Sequence, residues 1–283
     1  MPNPEPPSHI APPPRLAAPR LAPGLRVVRR GLRHLQVGLY ADRRVLLPRT
    51  AEVEATLALL LQQRPLDDDE STAAVLALLD AHGCLDRSRP TPGGTVAVLG
   101  RFEAPGLPDL EALLATAGLA ITPSPASADV VLVQAVGELD RDLLDPLIRS
   151  RTSHLVVRMV DAGALLGPFV VPGVTACLRC VDAHQSVLDP DHVAVTSRYL
   201  RATAVPRVDG VPDVPDVSLV ALALSWATRD LVAHLEGREP ATFSRTIRFD
   251  RQPVRREELS WLRHPDCGCC WSALDPTSGT IGA

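Results

Sequence analysis

The sequence predicts an α/β chain in two parts: a small α+β module of winged-helix-like element order, then a larger, degenerate Rossmann-like domain. Three observations carry this. Between residues 25 and 87, short alternating strands precede two helical patterns. From 95 to 160, strands and helices alternate, the signature of a parallel sheet wrapped by helices. Two cysteine knots, Cys177-x-x-Cys180 and Cys267-Gly-Cys269-Cys270, stand far apart in that second part and hold five of the six cysteines.

The chain has 283 residues and is 46% hydrophobic, enough to bury a sizeable core. Aromatic residues make up only 3%, so alanine, leucine and valine must fill it. A net charge of −4 gives no general attraction to nucleic acid. No apolar run is long enough to span a membrane and no secretory signal is visible, which predicts a cytoplasmic protein with reduced thiols. All basic residues are arginine. The lack of lysine removes the Walker-type phosphate lysine, Schiff-base chemistry and a lysine general base.

Residues 1–24 are proline-rich and short of core formers, which predicts a disordered or extended arm. Strands are expected at 25–29, 34–39 and 44–48, with Leu35, Val37 and Leu39 on one face and a turn at 40–43. Thr50 is placed to cap a helix starting at Ala51, with Glu52 and Glu54 in its first turn and Val53, Leu57, Leu60 and Leu61 on its apolar face. A second helix, 71–82, ends at Gly83. This helix carries no arginine, so it lacks the commonest guanine contact, and DNA binding is disfavoured. Peptide capture is the competing use, an extended peptide pairing with a strand edge and lying in a strand–helix groove. The residues assigned to it are Leu35, Val37, Leu39, Val45, Leu47, Val53 and Leu57.

After a linker at 88–94, the second part (95–271) opens with a buried strand at 95–100, a helix at 107–118 and strands at 119–122 and 128–134. A helix at 140–149 and a strand at 154–160 follow. The turn after the first strand, Gly100-Arg-Phe-Glu-Ala-Pro-Gly106, lacks the three glycines that admit a pyrophosphate, and the second strand leads to no acid for a ribose. Arg101, with other arginines in place of lysine, is left to touch a phosphate. Residues 181–210 read as a polar loop in which Asp182, His184, Asp189, Asp191 and His192 gather, a solvated loop rather than a second metal or an acid–base pair. A long apolar helix at 217–235, a strand at 243–249 and an amphipathic basic stretch at 251–262 lead into the second knot, and the tail 272–283 is expected to be loose.

Two cysteine turns supply the four thiolates of a closed, structural zinc site. A disulfide fits poorly without a secretory signal, and a redox Cys-x-x-Cys would open a helix in a thioredoxin-like unit. The ligands assigned are Cys177, Cys180, Cys267 and, by x-x spacing, Cys270, with Cys269 as its competitor.

The stretch from Gly167 to Cys180, reading Gly-Pro…Pro-Gly-x-Thr-x-Cys-x-x-Cys, resembles the ThiF-like superfamily, the relatives of ubiquitin-activating enzymes. The apolar helix 217–237, the strand after it and Pro265-Asp-Cys267 match as well. The N-terminal module resembles the peptide-recognition element of ribosomal peptide (RiPP) pathways. Together they are similar to the ThiF-like partner proteins of azoline-forming cyclodehydratases in bacteriocin biosynthesis. The resemblance implies a ThiF-type fold, a structural Zn2+ and a non-catalytic, homodimeric adaptor. Such an adaptor binds a precursor's leader peptide and delivers it to a separate modifying enzyme. An ATP-dependent adenylyltransferase is the alternative, and a winged-helix DNA-binding regulator the second.

Overall fold

The computed structural model describes residues 19–86, 93–103, 105–210, 215–250 and 255–269. It divides into two compact units, Met1–Pro90 and Thr91–Ala283. Most of the arm and of the linker, the whole tail and Cys270 lie outside the described residues.

In the first unit, β1 (Arg20–Leu21) pairs with β5 (Leu85–Asp86), so the chain is in register with its own far end four residues before the arm was expected to stop. β2 (Val27–Arg30), β3 (His34–Val37) and β4 (Val45–Pro48) form an antiparallel sheet in that order. α1 (Ala51–Gln62) starts where Thr50 Oγ1 accepts from the Val53 N–H. α2 (Glu70–Ala81) starts where Asp69 accepts from the Thr72 N–H, and Gly83 follows it in the left-handed region. The core holds Leu35, Val37, Val45, Leu47, Val53, Leu57, Leu60, Val75 and Leu79. Two residues expected on the apolar faces sit outside. Leu39 is 74% exposed because Gly38, at φ +76°, ends the strand before it. Leu61 is also exposed.

The second unit is a seven-stranded mixed sheet of order β12-β11-β10-β9-β8-β6-β7. The strands are β6 (Gly94–Leu99), β7 (Leu119–Ile121), β8 (Val130–Val136), β9 (His154–Val160), β10 (Gly163–Val170), β11 (Arg245–Asp250) and β12 (Arg255–Ser260). β7, β6, β8 and β9 are parallel; the rest join antiparallel. Helices α3 (Leu110–Thr116), α4 (Asp145–Arg149), α5 (Leu178–Leu188), α6 (His192–Thr203) and α7 (Val217–Leu235) complete the unit.

Three elements depart from the sequence reading. The polar stretch after Cys180 forms α5 and α6 rather than a loop. α6 buries none of its residues fully. β10 extends the sheet through a two-residue turn, Asp161-Ala162, with both residues at positive φ. A type I′ turn without glycine or asparagine gives little signal in sequence. The expected helix 140–149 splits into a 3-10 turn, Arg141–Leu144, and the short α4 at Pro146.

α7 matches its predicted bounds, and its apolar face packs against the sheet. Leu219, Val220, Ala223, Leu224, Ala227 and Leu231 are buried in the sheet's main core, and Leu222 is its one largely exposed large apolar side chain. No helix among the described residues is long and apolar enough to cross a membrane.

Candidate metal centre and strand edge

The first cysteine pair is aimed by the turn before it. Gly167 lies at φ +94°, where a Cβ would come 2.2 Å from the Arg245 carbonyl, and its peptide bond to Pro168 is cis. Thr175, fully buried, accepts from the Val171 N–H at 2.7 Å and donates to the Phe169 carbonyl at 3.1 Å. These bonds close the Pro-Gly-x-Thr turn and set Cys177 as the N-cap of α5, with Cys180 one turn on.

The second knot is brought to it by Ser244, Arg263 and His184. The Ala176 N–H donates to Ser244 Oγ at 3.0 Å, and the Trp261 N–H donates to the Ser244 carbonyl at 2.8 Å. Arg263 donates to the Gly173 carbonyl, and His184 Nε2 donates to the Leu262 carbonyl at 2.9 Å. Asp230, buried in α7, accepts from the Ala241 and Thr242 N–H groups at 2.9 Å and so anchors the loop that leads to Ser244.

The sulfurs of Cys177, Cys180, Cys267 and Cys269 all lie within 4.8 Å of one another, close enough to bind one metal ion, and none is in a disulfide. Cys180 is the hub, 3.8 Å from Cys177, 3.0 Å from Cys267 and 3.5 Å from Cys269. A tetrahedral tetrathiolate with bonds of about 2.3 Å has sulfurs about 3.8 Å apart, so the set fits a zinc ion. The fourth sulfur here is Cys269. Gly268, at φ +75°, reverses the chain within one residue and returns that sulfur to the cluster. Cys270, preferred from x-x spacing, lies outside the described residues.

Hydrogen bonds from Cys177 and Cys269, with others from the His264 N–H and Cys267, drive the Cys180 thiol far below the usual range. The Cys177 thiol, donating to Cys180, is pushed up to about 12. Cys267 is raised by burial, and Cys269 is raised by its bond to Cys177. A divalent cation would replace the shared protons here.

The acidic and histidine residues expected between 181 and 192 do not form a second metal group among the described residues. Asp182 instead takes both oxygens to Arg141, at 2.8 Å each, and lies 3.5 Å from His192 Nε2. Arg141 also binds Glu138, which pairs at 2.6 Å with the buried Arg158.

The strand order reverses between β6 and β8, the place where open α/β sheets bind ligands. A cavity of about 950 Å³ lies there, bordered by Arg101, Glu103, Asp109, Glu111 and Gln134. Three backbone N–H groups at its border are already engaged. The Phe102 N–H donates to Gln134 Oε1 at 3.2 Å, and Phe102 itself is buried. Asp109 accepts from the Glu111 and Ala112 N–H groups at the start of α3, and Glu111 adds a second carboxylate.

Six of the seven residues assigned to peptide capture (Leu35, Val37, Val45, Leu47, Val53 and Leu57) fill the first unit's own core; only Leu39 is exposed. What faces outward is the alternate set. The Arg49 N–H donates to the Arg33 carbonyl, which by alternation turns the N–H and C=O of Leu46 away from β3. The Leu46 side chain is also exposed, and α2, rather than α1, is the helix that neighbours β4. Charge is segregated across the unit. Residues 20–49 hold eight arginines and one acid, Asp42, whereas residues 50–86 hold eight acids and one arginine, Arg64. Alternation signalled the strands, but which set of side chains is buried depends on which face the helices cover.

No protein-family model matches the chain, and no curated protein does. Solved structures do. A heterocyclase in complex with substrate and cofactor aligns with 89% of this chain and 39% of its own, at 16% identity and a TM-score of 0.63. The heterocyclase TruD aligns with 89% of this chain and 42% of its own, at 17% identity and a TM-score of 0.58. E. coli MccB aligns with 89% of this chain and 96% of its own, at 11% identity and a TM-score of 0.57. The chain thus spans about two fifths of the heterocyclases' length and nearly all of MccB's. At these identities, what the chain shares with the heterocyclases and MccB is the α/β fold.

Proposed function

We propose that the chain is a non-catalytic adaptor in ribosomal peptide biosynthesis. It holds the leader segment of a precursor peptide and presents it to a separate modifying enzyme of the cyclodehydratase type. The observation that carries this reading is the acidic border of the cavity at the strand-order reversal, where Glu103, Asp109 and Glu111 oppose a polyphosphate. The second unit is the scaffold, stapled by zinc on Cys177, Cys180, Cys267 and Cys269. Zinc closed by four thiolates has no open position, so it holds the fold and supplies no chemistry.

In the first unit the peptide adds as a strand along β4, taking the outward N–H and C=O of Leu46 and lying beside α2. The arginines of the strand layer favour an acidic peptide. One MccB structure was determined with AMPCPP and the peptide MccA, and a peptide partner is the feature taken over from it here. The rival reading, ATP-dependent adenylation, is favoured by the cavity at the strand-order reversal and by Arg101 on its border. Against it stand Asp109, Glu111 and Glu103 on the same border, which repel a polyphosphate.

The test is calorimetric titration with precursor leader peptides encoded beside the gene. Leu46→Pro removes the outward N–H while keeping the ladder to β3, and should weaken binding about tenfold, the worth of one hydrogen bond. Binding by none of these peptides, or ATP-dependent pyrophosphate exchange, overturns the adaptor reading.

A further inference from the structure

The sheet of the second unit ends on an open strand. β12 is the last in its order, and among the described residues nothing pairs with the side turned away from β11. All six residues of β12 are exposed, so both faces at this edge are uncovered too. The Trp261 N–H donates to the Ser244 carbonyl, and that bond fixes the alternation along the ladder. Arg255, Glu257 and Leu259 turn their N–H and C=O groups to β11, whereas Arg256, Glu258 and Ser260 turn theirs outward. An unpaired row of backbone groups is a template for another strand.

Charged side chains commonly guard such an edge by repulsion. Those of β12 do the reverse towards a second copy of the same strand. It reads Arg-Arg-Glu-Glu-Leu-Ser, cations first and anions after, so an antiparallel copy brings opposite charges together. A two-fold axis at Glu257 keeps outward backbone groups facing outward backbone groups. It also sets Arg256 of each copy directly across from Glu258 of the other, twice over, on one face of the sheet. Both side chains are already steadied on that face: Arg256 lies over the Trp226 ring at 5.3 Å, and Glu258 lies 3.8 Å from Arg245. The single like-charged pair, Glu257 against Glu257, has Arg248 of β11 opposite each carboxylate. Moving the axis one residue either way sets Arg256 against Arg256 or Glu258 against Glu258, so charge selects one register.

We propose that two copies of the chain join antiparallel along β12, the sheet of one running on into the sheet of the other about a two-fold axis at Glu257. The contact lies wholly in the second unit and stands or falls independently of peptide capture at β4.

The test is sedimentation velocity on the full, zinc-loaded chain over a concentration series. The unaltered chain should dimerise, and the dimer should weaken in about 1 M salt, where the Debye length is about 3 Å. Arg256→Glu and Glu258→Arg, both at exposed positions, should each weaken self-association at least tenfold. Their equimolar mixture should form a one-to-one heterodimer at close to the unaltered affinity, because each reversed strand then meets its opposite. A monomer at every concentration, a dimer indifferent to salt, single variants that associate as the unaltered chain does, or a mixture that associates no better than its components overturns the proposal. Should either variant fail to fold, the concentration and salt dependence of the unaltered chain decide alone.

Discussion

Replacing Cys180 with serine should cost the second unit its metal and a measurable part of its stability. Cys180 lies within 3.8 Å of each of the other three sulfurs, and it also accepts the His264 N–H at 3.3 Å. Serine keeps the shape but exchanges the thiolate for a hydroxyl, a poor zinc ligand at neutral pH. A metal that binds only the folded state adds about 2.7 kcal/mol when free zinc stands a hundredfold above its Kd. The second unit, Thr91–Ala283, falls in the size range where 1 kcal/mol moves Tm by about 2–4 °C, so loss of the metal should lower Tm by about 5–11 °C. The assay is metal analysis with calorimetry on three samples: zinc-loaded, chelator-stripped and Cys180→Ser. One zinc per chain is expected in the first, with the other two metal-free and melting together below it. The reasoning is refuted if stripped and loaded protein melt alike, or if Cys180→Ser keeps stoichiometric zinc. The same assay separates the two candidates for the fourth ligand: Cys269→Ser should lose the metal and Cys270→Ser should retain it.

Other consequences follow from buried charge and hydrogen bonding. Glu138→Ala leaves Arg158, almost wholly buried, without its carboxylate, and should destabilise by about 3–5 kcal/mol in denaturant titration. Asp230→Ala removes the acceptor of the Ala241 and Thr242 N–H groups, strands the latter in the core, and should cost about 3 kcal/mol while lowering zinc retention through the Ser244 loop. His154 titrates at about 4 folded and near 6.5 unfolded, so the unfolded chain binds the proton first. Its stabilising effect is complete above pH 6.5 and is lost as pH falls towards 4, by about 3 kcal/mol. His154→Phe should flatten the stability–pH curve in that window, and an unchanged slope would refute the assignment.

Much of the framework could be read from the residues because its signals are local. Thr50 caps α1, Gly83 follows α2, β9 runs from His154 to Val160, and α7 runs from Val217 to Leu235, as the caps and periodicity of those segments dictate. The cysteine pairs announced a gathering of thiols, and Cys177, Cys180 and Cys267 stand with Cys269 in a group close enough to bind a metal ion. α5 and α6 were missed because polar and apolar residues are nearly balanced in both, and α5 is tied to distant segments by Asp182 bonding Arg141 and His184 bonding the Leu262 carbonyl. β10 was hidden by a hairpin turn whose residues, Asp161 and Ala162, do not signal positive φ.

By itself, the sequence determined that the chain has two parts, that a parallel sheet lies in the second, and that its thiols gather at one point without a lysine anywhere to handle phosphate. Hydrophobic period, capping residues and ligand spacing are properties of neighbouring residues, so they survive without a fold. The tertiary structure alone decided which side of β4 faces outward, that the apolar stripe of α7 is consumed by the sheet, that Gly268 turns Cys269 into the cluster, and that His154 is left with a bare acceptor beside it. Each of these depends on which distant segment arrives to cover a surface, and that is settled by packing across the sheet rather than by any stretch of chain.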